Sequence, residues 1–431
     1  MTQARQKIAV IGTGISGLAS AYFLAREHDV VLYEAGSYIG GHTNTVDVTL
    51  EGRTFPVDTG FLVFNEATYP NLIALLEELG VDSYATDMSF GVSLDDGKFE
   101  WAGTSLDTVF AQRRRLMSPA FVGMLRDILR FNRAAGSNLA ASLAAPASAP
   151  VTLAQLLADG NYGAMFRDAY LLPMAAAIWS SAPADILQFP AATFLRFCLN
   201  HGLLQINDRP QWRTVRGGAR EYVRRIAATL PTVRLNTEVL AVLRSDEGVT
   251  VRTHGGYEQF DSVVIATHAP DTLKMLADAD AAERDLLSAV RYQANTAYLH
   301  TDLSLMPRRR KVWSSWNYLG DAAAAKDGAR AVCVSYWLNR LQALPCKSAV
   351  MVTLNPFAPP AADKTIARFD YQHPVFDQTA ISAQAGLTSI QGRRRTWFAG
   401  AWTGYGFHED GLKSALRVVA DFGQAPIWAR V

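Results

Sequence analysis

The chain has 431 residues, 49% of them hydrophobic, and carries 41 Lys and Arg against 40 Asp and Glu. That is ample for more than one buried core, and so even a charge balance argues against a nucleic-acid partner. The three cysteines, Cys198, Cys333 and Cys346, form no C-x-x-C pair, and the eight histidines show no ligand spacing. Neither a disulfide framework nor a metal site is expected, which fits a reducing cytoplasm. The apolar run near the start is too short for a signal peptide. No stretch approaches the roughly 20 apolar residues of a spanning helix.

The first predicted elements are the most informative. "KIAVIGTGISGLASAYFLAREHDVVLYEA" opens with a β-branched strand over Lys7–Ile11, followed at once by Gly12-x-Gly14-x-x-Gly17. Ile15, Leu18, Ala19, Tyr22 and Phe23 then repeat at helical spacing, and a second strand over residues 30–33 ends on Glu34. This is a βαβ dinucleotide unit. Gly12 permits the tight turn, Gly14 lets backbone approach a pyrophosphate, and Gly17 lets helix and strand pack closely. The helix start, with Ile15 and Ser16, holds the phosphates, and Glu34, followed by Ala35, accepts from ribose hydroxyls.

Downstream, "YPNLIALLEELG", "FVGMLRDILRFNRAAG" and "TLAQLLADG" show helical periodicity with caps and glycine stops. "NLAASLAAPASAP" reads as an exposed connection. "NTAYLHTD" and "AVMVTLNP" read as strands, as does "FDSVVIATHAP". Near the end, residues 396–399 predict a strand, and Leu412, Ala415, Leu416, Val419 and Phe422 form one helix face. Between them lies "GAWTGYGFHEDG". Strand, glycine loop and helix start make a second dipole-positive cradle, with Asp410 as a cap candidate and His408 and Glu409 open to proton transfer or to loop ties.

Together these stretches, with "GGHTNTVDV", "VDTGFLVFNEATYPNL", "DRPQWRTVRGG", "HPVFD" and "GRRRTWFAGAW", resemble the flavin-containing amine oxidase superfamily, which includes phytoene desaturases and protoporphyrinogen oxidases. The likeness is greatest to a bacterial subgroup of predicted NAD/FAD-binding proteins. The resemblance implies a non-covalently held FAD, since covalent amine oxidases carry a cysteine where residues 398–413 have none. It extends the cofactor site to Gly40, Gly41, His42, Thr43, Thr59, Gly60 and Phe61, to Val239 on the adenine side, to Thr267, and to Gly400, Gly411 and Leu412 at the flavin end. It implies an α/β fold, with a three-layer Rossmann-like FAD-binding domain of the glutathione-reductase and amine-oxidase type and an inserted α+β substrate domain. The expected division is 1–64, 205–272 and 388–431 for FAD, and 65–204 with 273–387 for substrate.

Amine oxidases place a lysine beside the flavin on a strand of the substrate domain. The corresponding stretch here, residues 295–302, has none; Tyr298 and His300 join His408 as the catalytic candidates. The leading expectation is hydride abstraction from an unsaturated fatty acyl chain, free or in phospholipid, giving desaturation or double-bond isomerisation. A flavin amine oxidase is the second reading. An FAD-stabilised partner of a cyclopropane-fatty-acid-synthase-like methyltransferase is the third. Basic clusters at 113–115, 308–311 and 393–395 suggest peripheral docking on the inner membrane face.

Overall fold

A computed structural model describes residues 4–145, 150–179, 181–205, 208–321 and 331–430. Five strands form a parallel sheet in the order Val233–Arg234, Asp29–Tyr33, Lys7–Ile11, Ser262–Ile265, Thr396–Phe398. Beyond their first residues the three central strands are buried on both faces, which is why they read as unbroken apolar runs. Ile8, Val10, Val30, Leu32 and Val264 turn to one side and share a core with the helices Ile15–Leu24, Arg220–Thr229 and His408–Asp421. Ala9, Ile11, Val31, Val263 and Ile265 turn to the other and pack on an antiparallel meander, Val239–Arg244, Val249–Thr253 and Gly256–Phe260. The result is three layers, with helices, parallel sheet and meander stacked as expected.

A second, seven-stranded sheet runs in the order Thr365–Pro374, Tyr292–His300, Met351–Leu354, Ala331–Trp337, Trp316–Asp321, Phe90–Leu94, Phe99–Ala102. All its neighbours are antiparallel except Trp316–Asp321 against Phe90–Leu94. Its apolar face, including Leu299, Tyr318, Val334 and Leu354, shares one core with Phe121, Phe131, Phe166 and Phe194 from the helices of residues 119–200. The expected boundaries cut through packing at several places: Val48, Phe55, Val57 and Leu62 of the 1–64 segment lie in the core of this second sheet. Leu72, Leu75 and Leu76 of the helix Pro70–Glu78 lie in the core between the parallel sheet and its helices, and Leu287 of the helix Ala281–Ser288 lies in the meander core.

The long helix also corrects an expectation. It runs Pro119–Ala144, capped by Ser118, so the Ala-rich stretch from Asn138 to Ala144 is helical rather than a connection. Alanine is the strongest helix former, and the expectation gave too much weight to the prolines that follow. Those later residues, 146–149, lie outside the described residues. No helix among the described residues is long and apolar enough to cross a membrane.

Candidate active site

The three-layer unit and the unit built on the seven-stranded sheet enclose a cavity of about 790 Å³. One end is built by the first glycine loop. Gly12 has φ +99°, and a Cβ there would stand 2.8 Å from Ala266 O. A Cβ on Gly17 would lie 1.8 Å from Gly12 O, so helix and strand close on each other without room for a side chain. Gly14 differs: nothing stands within 4 Å of the Cβ it lacks. Its open side belongs to the cavity, and it precedes the helix Ile15–Leu24 with no side-chain cap bond. The first-turn N–H groups are thereby left for an anion. Glu34, at the end of the second strand, accepts from Thr13 N–H at 3.1 Å and from Gly36 N–H at 2.8 Å, which fixes the carboxylate beside the loop.

Of the predicted cofactor residues, Gly12, Gly14, Ile15, Ser16, Glu34, Ala35, Gly40, Gly41, His42, Thr59, Gly60, Phe61, Val239, Thr267 and Gly400 line the cavity. Gly17, Thr43, Gly411 and Leu412 do not. Gly411 is where two helix starts touch: a Cβ would meet Ile15 Cγ2 at 2.7 Å, and Ser16 Oγ donates to Gly411 O at 2.9 Å. Thr43 hydrogen-bonds Tyr222, whose hydroxyl sits 2.7 Å from His408 Nε2.

The three catalytic candidates separate. His408 lines the cavity, stacked on Phe61 with ring centroids 3.8 Å apart, and burial lowers its pKa to about 3. It is a neutral imidazole with Nε2 engaged by Tyr222. Neither Tyr298 nor His300 reaches the cavity. Side chains alternate along a strand, and Asn295, Ala297 and Leu299 are buried while Tyr298 turns to the opposite, half-buried face beside Arg368. His300 is fully buried, with Nε2 2.7 Å from Thr353 Oγ1 and Nδ1 accepting from Asp302 N–H at 3.0 Å, so it ties strands together. Glu409 is likewise occupied. Its carboxylate accepts from Asn71 N–H, Asn71 Nδ2 and Leu72 N–H, fastening its helix to the start of Pro70–Glu78. Asp410 is not the N-cap expected: the helix begins at His408, Phe407 holds the cap position, and Asp410 in the first turn reaches back to accept from Phe407 N–H at 3.0 Å, with burial raising its pKa to about 6.

Sequence reasoning named His42 but missed the aromatic and imidazole rings around it. Tyr371 and His373, on Thr365–Pro374, line the cavity with His42 and His268. His42 stacks on Tyr371 at 5.0 Å and lies 5.1 Å from His373; His268 stacks on Tyr292 at 4.3 Å. Burial lowers the pKa of His373 to about 4, so it too is neutral. The signal was in the "HPVFD" stretch, which held a histidine at the end of a strand. The far end of the cavity is aromatic and aliphatic, lined by Ile178, Trp179, Trp212, Trp316, Tyr336 and Leu354. No histidine, cysteine or carboxylate group among the described residues is arranged to hold a metal ion.

The family model described as flavin containing amine oxidoreductase matches residues 15–315, more than half of the chain. A carotenoid phi-ring synthase of Chlorobaculum tepidum is 30% identical over 127 residues, 27% of this chain; the match spans only 20% of that relative's length. Among solved structures, a CLA-producing fatty acid isomerase from P. acnes superposes with a TM-score of 0.68 at 16% identity, covering 98% of this chain and 99% of the other. Cyclohexylamine oxidase from Brevibacterium oxydans IH-35A gives 0.68 at 18% identity, covering 97% and 100%. These likenesses establish the fold. The family match identifies the cofactor as a flavin, and the open side of Gly14, the uncapped helix start and the Glu34 carboxylate fit the dinucleotide portion of FAD.

Proposed function

Because the chain belongs to the flavin-containing amine oxidoreductase family, we propose that it is an FAD-dependent oxidoreductase acting on an unsaturated fatty acyl chain, with a new or a moved double bond in the product. The observation that carries this reading is the charge-free aromatic end of the cavity. The acids that line the cavity are Glu34, at the nucleotide end, and Glu238, Asp271 and Asp370, which are exposed. An apolar chain meets Trp179, Trp212, Trp316 and Tyr336 without desolvating a charge, whereas an ammonium group there has no carboxylate to pair with. FAD, when bound, supplies two-electron oxidation of a carbon centre. Gly12, Gly14 and the helix start bind its phosphates, and Glu34 its ribose. The aromatic wall orients the chain and excludes water. His408 and His373 are the imidazoles placed to hold or pass a proton, one nitrogen of each being fixed by a neighbour.

The test is anaerobic. The purified flavoprotein is mixed with mono- and diunsaturated acyl lipids, and separately with amines, while oxidised-flavin absorbance is followed and the lipids are analysed. Bleaching by lipid, or a displaced double bond without lasting bleaching, is expected. Bleaching by amines alone would replace this reading with the amine-oxidase one. FAD binding with no response to either set would favour the methyltransferase-partner reading.

A lipid substrate calls for a lipid-facing surface, and one feature supports it. The basic clusters at 113–115 and 308–311 converge, while 393–395 lies apart against Asp278 and Asp280. Arg113 and Lys311 share Asp107, Arg114 and Arg115 both donate to Lys98 O at 3.2 Å, and Arg309 donates to Gly97 O at 3.0 Å. Beside them Met117 is 90% and Leu106 78% exposed. Basic and apolar groups side by side fit an anionic bilayer. Co-sedimentation with saturated phosphatidylglycerol vesicles is expected, weakened about tenfold or more by Met117→Ser with Arg114→Glu and unaffected by Arg252→Glu. Equal binding to zwitterionic vesicles would remove the proposal.

A further inference from the structure

His373 is held by a relay whose polarity can be read from one end to the other. The backbone N–H of Thr296 can only donate, and it does so to Asn355 Oδ1 at 3.0 Å. That assigns the Asn355 amide, so its Nδ2 is the group that donates to Asn295 Oδ1 at 2.7 Å. Asn295 is assigned in turn. Its Nδ2 donates to Gln293 O at 3.1 Å and faces His373 Nδ1 at 3.0 Å. An amide nitrogen has no lone pair to offer, so Nδ1 must be the acceptor, and the proton of the neutral ring sits on Nε2.

The relay ends at the seam between the two units. The His373 ring lies 5.1 Å from that of His42, which follows Gly41, and a Cβ on Gly41 would stand 3.2 Å from Gly14 Cα in the dinucleotide loop. Pro374 lies against the second glycine loop, its Cγ 3.5 Å from where a Cβ on Gly406 would be. The imidazole therefore borders the cavity between the two glycine loops.

We propose that His373, locked as the Nε2–H tautomer by Thr296, Asn355 and Asn295, is a cofactor-contacting residue that presents a neutral hydrogen-bond donor from the inserted sheet to the ring system of the bound flavin. The donor discriminates between oxidised and reduced cofactor because the two differ in the charge and acceptor strength of the ring edge it meets. Asn295 and Asn355 are positioning residues, acting only through the imidazole. The inference rests on the flavin and is independent of the acyl-chain reading, so either can fail alone.

Two measurements test it. In the ¹⁵N-histidine-labelled protein, assigned by loss of the signal in His373→Gln, the shifts of His373 are expected to show Nδ1 unprotonated and Nε2 protonated; the opposite pattern overturns the relay. The reduction potential of the bound flavin is then compared across variants whose flavin spectrum is intact. His373→Phe is expected to change the relative affinity for reduced and oxidised flavin at least tenfold, about 30 mV for a two-electron couple. His373→Gln, which keeps an N–H, is expected to restore most of it, and Asn295→Leu to move the potential the same way as His373→Phe by less. A His373→Phe change below twofold, about 9 mV, would overturn the contact. If His373→Phe does not retain flavin, Asn295→Leu carries the same comparison.

Discussion

Single residues here divide into those committed to the fold and those left facing the cavity. Glu258 is of the first kind. Burial opposes its ionisation, but hydrogen bonds from Arg234, Lys7 and Tyr33 prevail and hold its pKa at about 2 against the ordinary 4.5. A carboxyl with a lowered folded-state pKa stabilises the protein above about pH 4.5 and loses that contribution as the pH falls toward 2. With a quarter of the side chain exposed, screening trims the effect. Glu258→Gln is expected to cost about 1–3 kcal/mol at pH 7. Urea unfolding should show the gap from wild type narrowing below pH 4.5; a pH-independent gap would assign the loss to packing instead. The catalytic candidates illustrate the same division. His300 and Glu409 looked chemically capable in the sequence, yet their polar atoms are taken by strands and a helix start. His408 and His373 keep a face toward the cavity. Which residues are taken depends on partners hundreds of positions away, and local sequence carries no record of them.

At the scale of elements, the two glycine-rich helix starts do different work from what their similarity suggests. At the first, the three glycines answer three separate steric demands, and these can be told apart. Gly17→Ala would push a methyl group into Gly12 O and is expected to destabilise even the flavin-free protein by ~1–3 kcal/mol. Gly14→Ala meets open space, so the flavin-free protein should melt as before while flavin affinity falls. Thermal unfolding with and without added FAD checks both; a shared loss of stability would contradict the division. At the second, Gly411 is small because another helix start packs on it. Glycine spacing announced both turns, but only the packing of Ile15 on Gly411 shows that the second is a joint as well as a cradle.

For the whole molecule, the cavity is walled by both units, from Gly14 and Glu34 on one side to Tyr371 and Trp316 on the other. A ligand filling it binds only the folded state. Flavin present at a hundredfold excess over its Kd is expected to add about 2.7 kcal/mol to stability. Calorimetry on flavin-free and reconstituted protein should show a transition that rises with FAD concentration; a transition indifferent to FAD would mean the units do not close on it. The sequence by itself determined the parallel sheet, the glycine turns, the acid that ends the second strand and the final helix face. Those features are local, because β-branched runs, glycine spacing and helical periodicity act over a few residues. Only the tertiary structure decided which wall the histidines occupy, that Tyr298 turns away, and that two of three basic clusters meet. Those outcomes depend on which face of a strand a distant layer covers, and that is set by packing between segments the chain keeps far apart.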